Sequence, residues 1–266
     1  MMSGDAAFTD HFASVAEQYA RFRPGYPSAL FDFLAENSPD TGLAWDCGSG
    51  TGIAALPLAE RFDTVVATDA SAAQLAHAPS HARVTYRTAR EGHSGLADGA
   101  ASLVTVAQAA HWFDLDAFYR EVDRVLKPGG LLAMWCYGVM SINEQVDAIL
   151  ARFEHERVGP HWPAERRHVD AGYRTLPFPY ERVETPVFAM EAMLTRAALL
   201  GYLRSWSAVG RYRATTGLDP ILELEGELLA SWPDERSMRV RWPLTVLAGR
   251  WRDRSPHAGK QSGILR

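Results

Sequence analysis

The residues able to do chemistry gather in one run, Trp45-Asp46-Cys47-Gly48-Ser49-Gly50-Thr51-Gly52, and in Asp69, an acid twenty-one residues after Gly48. Glycines at alternate positions supply the backbone angles of a tight turn and let a ligand lie against the main chain. Asp69 closes the apolar run Thr64-Val-Val-Ala-Thr68, and a carboxylate there can accept hydrogen bonds from both hydroxyls of a ribose. Asp46 stands two residues before Gly48, where its charge would repel a pyrophosphate and attract an ammonium group. A dinucleotide fingerprint, GxGxxG, would want a small residue at position 53, which is Ile53. Together these residues predict a nucleoside-bearing ligand that also carries an amino-acid group, and they speak against a nicotinamide dinucleotide.

Such a loop works only at a strand end, with a helix behind it. Short apolar runs predict strands over 43–47, 64–68, 83–87, 102–107 and 131–136, most of them apolar on both faces, as a parallel sheet covered by helices requires. Ser71-Ala-Ala-Gln74 is a capping box that starts a helix after the second strand. Leu115, Phe118, Val122, Val125 and Leu126 share one helical face, and Lys127-Pro-Gly-Gly130 ends that helix and turns into the fifth strand. Pro57 falls inside the helix expected after the first strand, where it would break a backbone bond. Beyond Ser141 a helical stretch to about Arg157 and a Pro- and aromatic-rich segment read as cap material. Further strands are expected over 181–190 and 238–251, with helices over 195–204 and 219–232.

The alternation of strands and helices makes this an α/β chain, and 266 residues suffice for one large domain with its own core. A net charge of −5 argues against a surface built for phosphate backbones, so nucleic acid is not expected as a partner. The longest apolar run, over 131–140, is too short for a membrane helix, and the acidic N-terminus does not read as a signal peptide. Cys47 and Cys136 make no disulfide framework and suit a cytoplasmic protein, with Cys47 expected to pack beneath the ligand. His155, His161 and His168 lack any metal-ligand spacing, so no metal is expected.

The acid-then-GxGxG loop resembles the class I S-adenosylmethionine-dependent methyltransferases (methyltransferase type 11). Gln108-Ala-Ala-His-Trp-Phe-Asp114 and Arg120-Glu-Val-Asp-Arg-Val-Leu-Lys-Pro-Gly-Gly130 extend the likeness. Tyr19-Ala-Arg-Phe-Arg-Pro-Gly-Tyr-Pro27 and Ser205-Trp-Ser-Ala-Val209 look like the subgroup related to trans-aconitate methyltransferases. The resemblance implies a Rossmann-like α/β/α sandwich with a mostly parallel seven-stranded sheet, its last strand antiparallel between the fifth and sixth, and a helical cap. One domain would span 1–266, with an N-terminal lid at about 8–30 and cap segments at about 141–180 and 192–235. It also implies S-adenosylmethionine as cofactor, with Asp46, Gly48, Ser49, Gly50 and Gly52 at the methionine moiety, Asp69 at the ribose, Ala89 and Arg90 at the adenine edge, and Ala70 also in contact with the cofactor. Gln108 would border the cofactor. Relatives often carry an acid where Arg90 stands, which leaves backbone groups or Glu91 as the alternative partner of the adenine amino group.

The implied partner is a small-molecule acceptor, methylated on oxygen and perhaps on a carboxylate, by a monomer or homodimer. Methyl transfer needs alignment and exclusion of water more than a fixed catalytic residue. His111 follows the fourth strand and is the candidate for a base or a substrate hydrogen bond; packing against Trp112 explains it as well. Tyr19, Arg23, Tyr26, His111 and Trp112 form the expected substrate pocket, while Arg211 and Arg213 read as exposed arginines outside the site. Two other readings stay open: a protein that binds S-adenosylmethionine without turnover, and a nicotinamide oxidoreductase.

Overall fold

The computed structural model describes residues 25–251. Among them eight strands join in one sheet: β1 (Leu43–Cys47), β2 (Thr64–Asp69), β3 (Val84–Thr88), β4 (Ala101–Ala107), β5 (Leu126–Tyr137), β6 (Glu181–Val183), β7 (Phe188–Leu194) and β8 (Met238–Arg250). The spatial order is β3-β2-β1-β4-β5-β8-β6, with β7 also on β8. The strands from β3 to β5 run parallel, and β8 is antiparallel to β5, β6 and β7. β6 pairs with the end of β8 and β7 with its beginning, so the two share one place in the sheet. The single strand expected over 181–190 is broken at 184–187, where Pro186 has no N–H to give a ladder. The sevenfold arrangement is otherwise as expected, with the antiparallel last strand inserted before the sixth.

Period-two alternation sends Ala44, Leu131, Ala133 and Trp135 to one face of the sheet and Trp45, Leu132, Met134 and Cys136 to the other. The helices on the first part of the chain are α1 (Ser28–Asn37), α2 (Ala55–Ala59), α3 (Ala72–Leu75) and α4 (Leu115–Val125). α1 covers the first face through Leu30, Phe31 and Leu34; α4 covers the second through Phe118, Val122 and Val125. Both faces are thereby covered, which is why β1, β2, β4 and β5 are buried along most of their length, the polar Asp46, Thr68, Ser102 and Thr105 included. β3, at the edge, is largely exposed.

Local chemistry explains where elements start. Ser71 Oγ accepts from Gln74 N–H at 3.2 Å, although the helix it caps runs only over Ala72–Leu75. Pro57 costs nothing: α2 starts at Ala55, so Pro57 lies in the first turn, where an N–H has no intrahelical partner. β5 begins at Leu126 and not at 131, because Leu126 already pairs with Ala101 ahead of a register shift.

Beyond β5 the helical elements are α5 (Glu144–Arg152), a π-helical turn over Phe153–Arg157, α6 (Arg166–Asp170), α7 (Arg196–Arg204), α8 (Ser207–Thr216) and α9 (Pro220–Ser231). α5 starts later than expected because Ser141 is bridged to Arg241; Asn143 caps it instead, accepting from Val146 N–H at 3.0 Å. Thr195 and Asp219 cap α7 and α9. Leu150, Leu203, Val209 and Leu224 join the apolar cluster on the first sheet face, so these helices share a core with the sheet.

Candidate active site

At the end of β1 the chain turns up, and Gly48 and Ser49 N–H both donate to Thr68 O, at 2.8 and 3.0 Å, tying the loop to β2. Gly48 has φ +70, and a Cβ there would lie 2.6 Å from the Ala109 Cβ, so a close neighbour as well as the dihedral requires glycine. At Gly50, with φ +56, nothing lies closer than 3.7 Å and the open side is left to a ligand. The Gly50 N–H donates to Asp69 Oδ2 and the Ser71 N–H to Asp69 Oδ1, both at 2.8 Å. The acid after β2 therefore braces the glycine loop.

Asp46 is fully buried beneath this loop and does not line the cavity above it. Its Oδ1 accepts from Thr105 Oγ1 at 2.8 Å, while Oδ2 has no hydrogen-bond partner. Burial pushes its carboxyl up to about 6, against the Thr105 hydrogen bond. Burial likewise pushes the Cys47 thiol far up, so that side chain is a packed thiol and not a nucleophile. Gly52, at φ +79, faces Tyr86 and also lies outside the cavity lining.

The cavity over the loop measures about 480 Å³, a size typical of cofactor sites. Gly48, Ser49 and Gly50 line it from the loop, Asp69 and Ala70 from the end of β2, Ala89 and Arg90 from the end of β3, and Gln108 and Trp112 from beyond β4. Tyr26 enters ahead of α1 with its ring edge-on to Trp135 at 5.4 Å. Glu91 lines the cavity too, with Oε1 accepting from Asp114 N–H at 3.0 Å. Tyr19 and Arg23 lie outside the described residues.

A second cavity of about 80 Å³ adjoins the first, and Gln108, Trp112 and Pro163 line both. His111 opens onto this smaller space and not onto the larger one. Its Nδ1 lies 3.1 Å from the Tyr173 hydroxyl and its ring 4.9 Å from Trp112, so the packed and the functional readings of this histidine coexist in one geometry. Burial, then the positive fields of Arg166 and His168, lower its pKa to about 3, so the imidazole is neutral and a weak base.

Gln108 sits at φ 56, a left-handed conformation rare for its type. Its Nε2 donates to Tyr137 O at 3.0 Å and its Oε1 accepts from Tyr137 N–H at 2.9 Å, bridging β4 and β5 where they part. Arg166 lines the small cavity with its charge already answered by Glu154 at 3.1 Å and Asp170 at 2.7 Å. Arg213 pairs with Asp219, as a surface arginine would. Arg211 departs from that expectation: it is half-buried, lines the large cavity, and has no ion pair among the described residues. Tyr173, Pro163 and Glu165 carry no sequence motif that would have marked them.

Fold and loop define a Rossmann-like protein built to hold a nucleoside cofactor at the carboxyl ends of its parallel strands. A methyltransferase domain family matches residues 45–134. A Dictyostelium discoideum protein named as a methyltransferase is 30% identical over 248 residues, 90% of this chain and 94% of its own length. A solved structure described as a type II methyltransferase from Anaeromyxobacter dehalogenans is 46% identical, with a TM-score of 0.82 over 86% of this chain and 98% of its own. A malonyl-[acyl-carrier protein] O-methyltransferase of Dechloromonas aromatica is 31% identical over 169 residues, 59% of this chain and 63% of its own length. The chain belongs to the class I S-adenosylmethionine-dependent methyltransferases, and S-adenosylmethionine is its cofactor. These names do not narrow the family to the trans-aconitate subgroup.

The residues present fit that cofactor. The Ser49 and Thr51 hydroxyls, both of cavity-lining residues, are buried without hydrogen-bond partners, as is Asp46 Oδ2. Unspent polar atoms at the loop are costly unless a polar ligand answers them.

Proposed function

We propose that this chain methylates an oxygen, that of a carboxylate, on a small acceptor seated in the cavity beyond Gln108 and Trp112. The observation that carries this reading is the pair of joined cavities: one of about 480 Å³ over the glycine loop and one of about 80 Å³ behind its inner wall. When bound, S-adenosylmethionine supplies a methyl group on a sulfonium that leaves as a neutral thioether. Ser49, Gly50 and Thr51 hold its methionine moiety, Asp69 and Ala70 the ribose, and Ala89, Arg90 and Glu91 surround the adenine. Asp46 acts from beneath the loop, through charge rather than contact.

The protein's own part is alignment and the exclusion of water. Gln108 fixes the wall between the cavities, Trp112 and Tyr26 give it aromatic surface, and the cap residues Pro163, Glu165 and Arg211 cover the cofactor. The segments 141–180 and 192–235 thus act as a cap on one methyltransferase domain. A carboxylate nucleophile suits a site whose histidine is a weak base, because it needs no proton removed. The Dechloromonas relative, named as a malonyl-[acyl-carrier protein] O-methyltransferase, agrees in reaction class.

Thermal shift tests the cofactor half: S-adenosylmethionine and S-adenosylhomocysteine at 100 times Kd should stabilise by about 2.7 kcal/mol, and NAD should not. Transfer of labelled methyl from S-adenosylmethionine to a panel of small carboxylic acids tests the acceptor half. Failure of both sulfur compounds to bind overturns the site as drawn; labelled amines or thiols in place of esters overturn the oxygen assignment.

A further inference from the structure

The turn after α6 carries two consecutive left-handed residues, Gly172 at φ 56 and Tyr173 at φ 57. A tyrosine rarely adopts this conformation, and residues held in it concentrate where their placement has a use. A Cβ at Gly172 would lie 2.9 Å from Thr245 Oγ1, so the turn is also pinned from behind. Its product is a fully buried Tyr173 whose hydroxyl lies 3.1 Å from His111 Nδ1.

The hydrogen in that contact can be placed. The Tyr173 hydroxyl is buried, and among the described residues its hydrogen-bond partner is His111 Nδ1. Accepting a hydrogen from Nδ1 would leave the hydroxyl's own hydrogen buried with no acceptor, whereas donating to Nδ1 satisfies it. A neutral imidazole whose Nδ1 accepts must carry its hydrogen on Nε2. Nε2 has no hydrogen-bond partner among the described residues, and the ring lines the smaller cavity. A second unspent donor belongs to the same lining: the Trp162 Nε1–H is buried and unpartnered.

We propose that Tyr173 is a positioning residue that fixes His111 with Nδ1 accepting and Nε2–H as its free donor, so that the smaller cavity selects an acceptor oxygen that arrives already ionised. This rests on the methyl-transfer reading above and deepens it. His111 then orients a carboxylate by donating to one of its oxygens and takes no proton from it. The oxygen forms its bond to the methyl carbon, the carbon–sulfur bond breaks with its electron pair kept by sulfur, and no proton is released. Burial, together with the charges of Arg166 and His168 on α6, keeps the ring from charging in mildly acidic solution. Tyr173 itself stays protonated, since burial raises its phenol far above the ordinary range.

Long-range proton–nitrogen NMR on the full chain, labelled with ¹⁵N-histidine, reads the tautomer directly, with His111→Gln identifying the resonances. The expected spectrum shows an unprotonated Nδ1 and a protonated Nε2 for His111, unchanged between pH 8 and pH 5. Tyr173→Phe should lose the Nδ1 acceptor signature and mix the two tautomers. A proton on Nδ1 in the unsubstituted protein, or charging of the ring within that range, overturns the proposal even if the tyrosine variant fails to fold. The spectrum needs neither cofactor nor acceptor, so its failure is distinct from failure of S-adenosylhomocysteine to bind. On the acceptor side, labelled methyl transfer to small carboxylic acids and to the matching primary alcohols should give product from the acids alone. Product from the alcohols, or from neither set, overturns the selection of an ionised oxygen.

Discussion

Asp69→Ala separates two tasks carried by one carboxylate. Its oxygens accept the Gly50 and Ser71 N–H groups at 2.8 Å each, and the same side chain lines the cofactor cavity. Hydrogen bonds to a charged acceptor contribute about 1.5–3 kcal/mol each, at the lower end where water can replace the acceptor. The ligand-free variant should therefore lose about 2–4 kcal/mol of stability. That corresponds to a fall in Tm on the order of 5–15 °C for a domain of this size. If the carboxylate also accepts the ribose hydroxyls, affinity for S-adenosylhomocysteine should fall by a further ~10- to 150-fold. Asp69→Asn should cost nearly as much, because its amide group must turn a donor toward Gly50 or Ser71. Calorimetric melts of the ligand-free proteins and titration with S-adenosylhomocysteine read the two effects apart. An unchanged melt would refute the brace, and an unchanged affinity would refute the ribose assignment.

Three further perturbations test other parts of the site and core. Gln108→Ala removes both bonds to Tyr137 yet keeps a Cβ at φ 56, whereas Gln108→Gly relieves the backbone; urea unfolding should therefore rank alanine below glycine by about 1 kcal/mol, against the usual order. Asp46 has a folded pKa raised to about 6, so its ionised form opposes folding above that pH and the penalty vanishes as the pH falls toward the unfolded value. Asp46→Asn should make the ligand-free protein more stable at pH 8, by about 2 kcal/mol, with no gain at pH 4, while weakening S-adenosylmethionine binding; lower stability at pH 8 contradicts the buried unpaired oxygen. Glu121, buried yet held down to about 2 by Arg124 and Ser94, stabilises above the unfolded pKa and loses that contribution as the pH falls through about 2. Glu121→Gln should lower stability at pH 7 by about 2–3 kcal/mol and flatten its acid dependence between roughly pH 4.5 and 2 in fluorescence-monitored unfolding.

The sheet was legible because each central strand is mostly apolar on both faces, and the glycine loop because positive backbone angles leave few residue choices. β3 was read correctly despite its exposure, since its edge position still demands a strand between α3 and the adenine-side turn. The break between β6 and β7 lay hidden in one Pro186, and the late start of α5 in a bridge from Ser141 to a strand a hundred residues on. α8 was invisible: Gly210, Thr215, Thr216 and three arginine or tyrosine positions give it no apolar stripe, and it is held by the cap around it. At the site, the residues fixed by local backbone geometry could be read, while those fixed by tertiary contact could not. Tyr173 reaches His111 across 62 residues, a contact no local pattern encodes.

The same division explains how the two halves of the site are built. On the cofactor side the strained angles fall on glycines, which adopt them freely, so the loop is both cheap and recognisable. Beside the smaller cavity they fall on Gln108 and Tyr173, the two non-glycine residues with positive φ among those described. Each such residue costs on the order of 1 kcal/mol or more and persists only where its surroundings hold it. Gln108 is held by both polar groups of Tyr137, and Tyr173 by His111 and the pinned Gly172. Both strained side chains orient groups that border the same small cavity. A glycine at either position would relax the backbone but lose the amide bridge or the hydroxyl. The wall of the smaller cavity therefore keeps its strain as the condition of its precision.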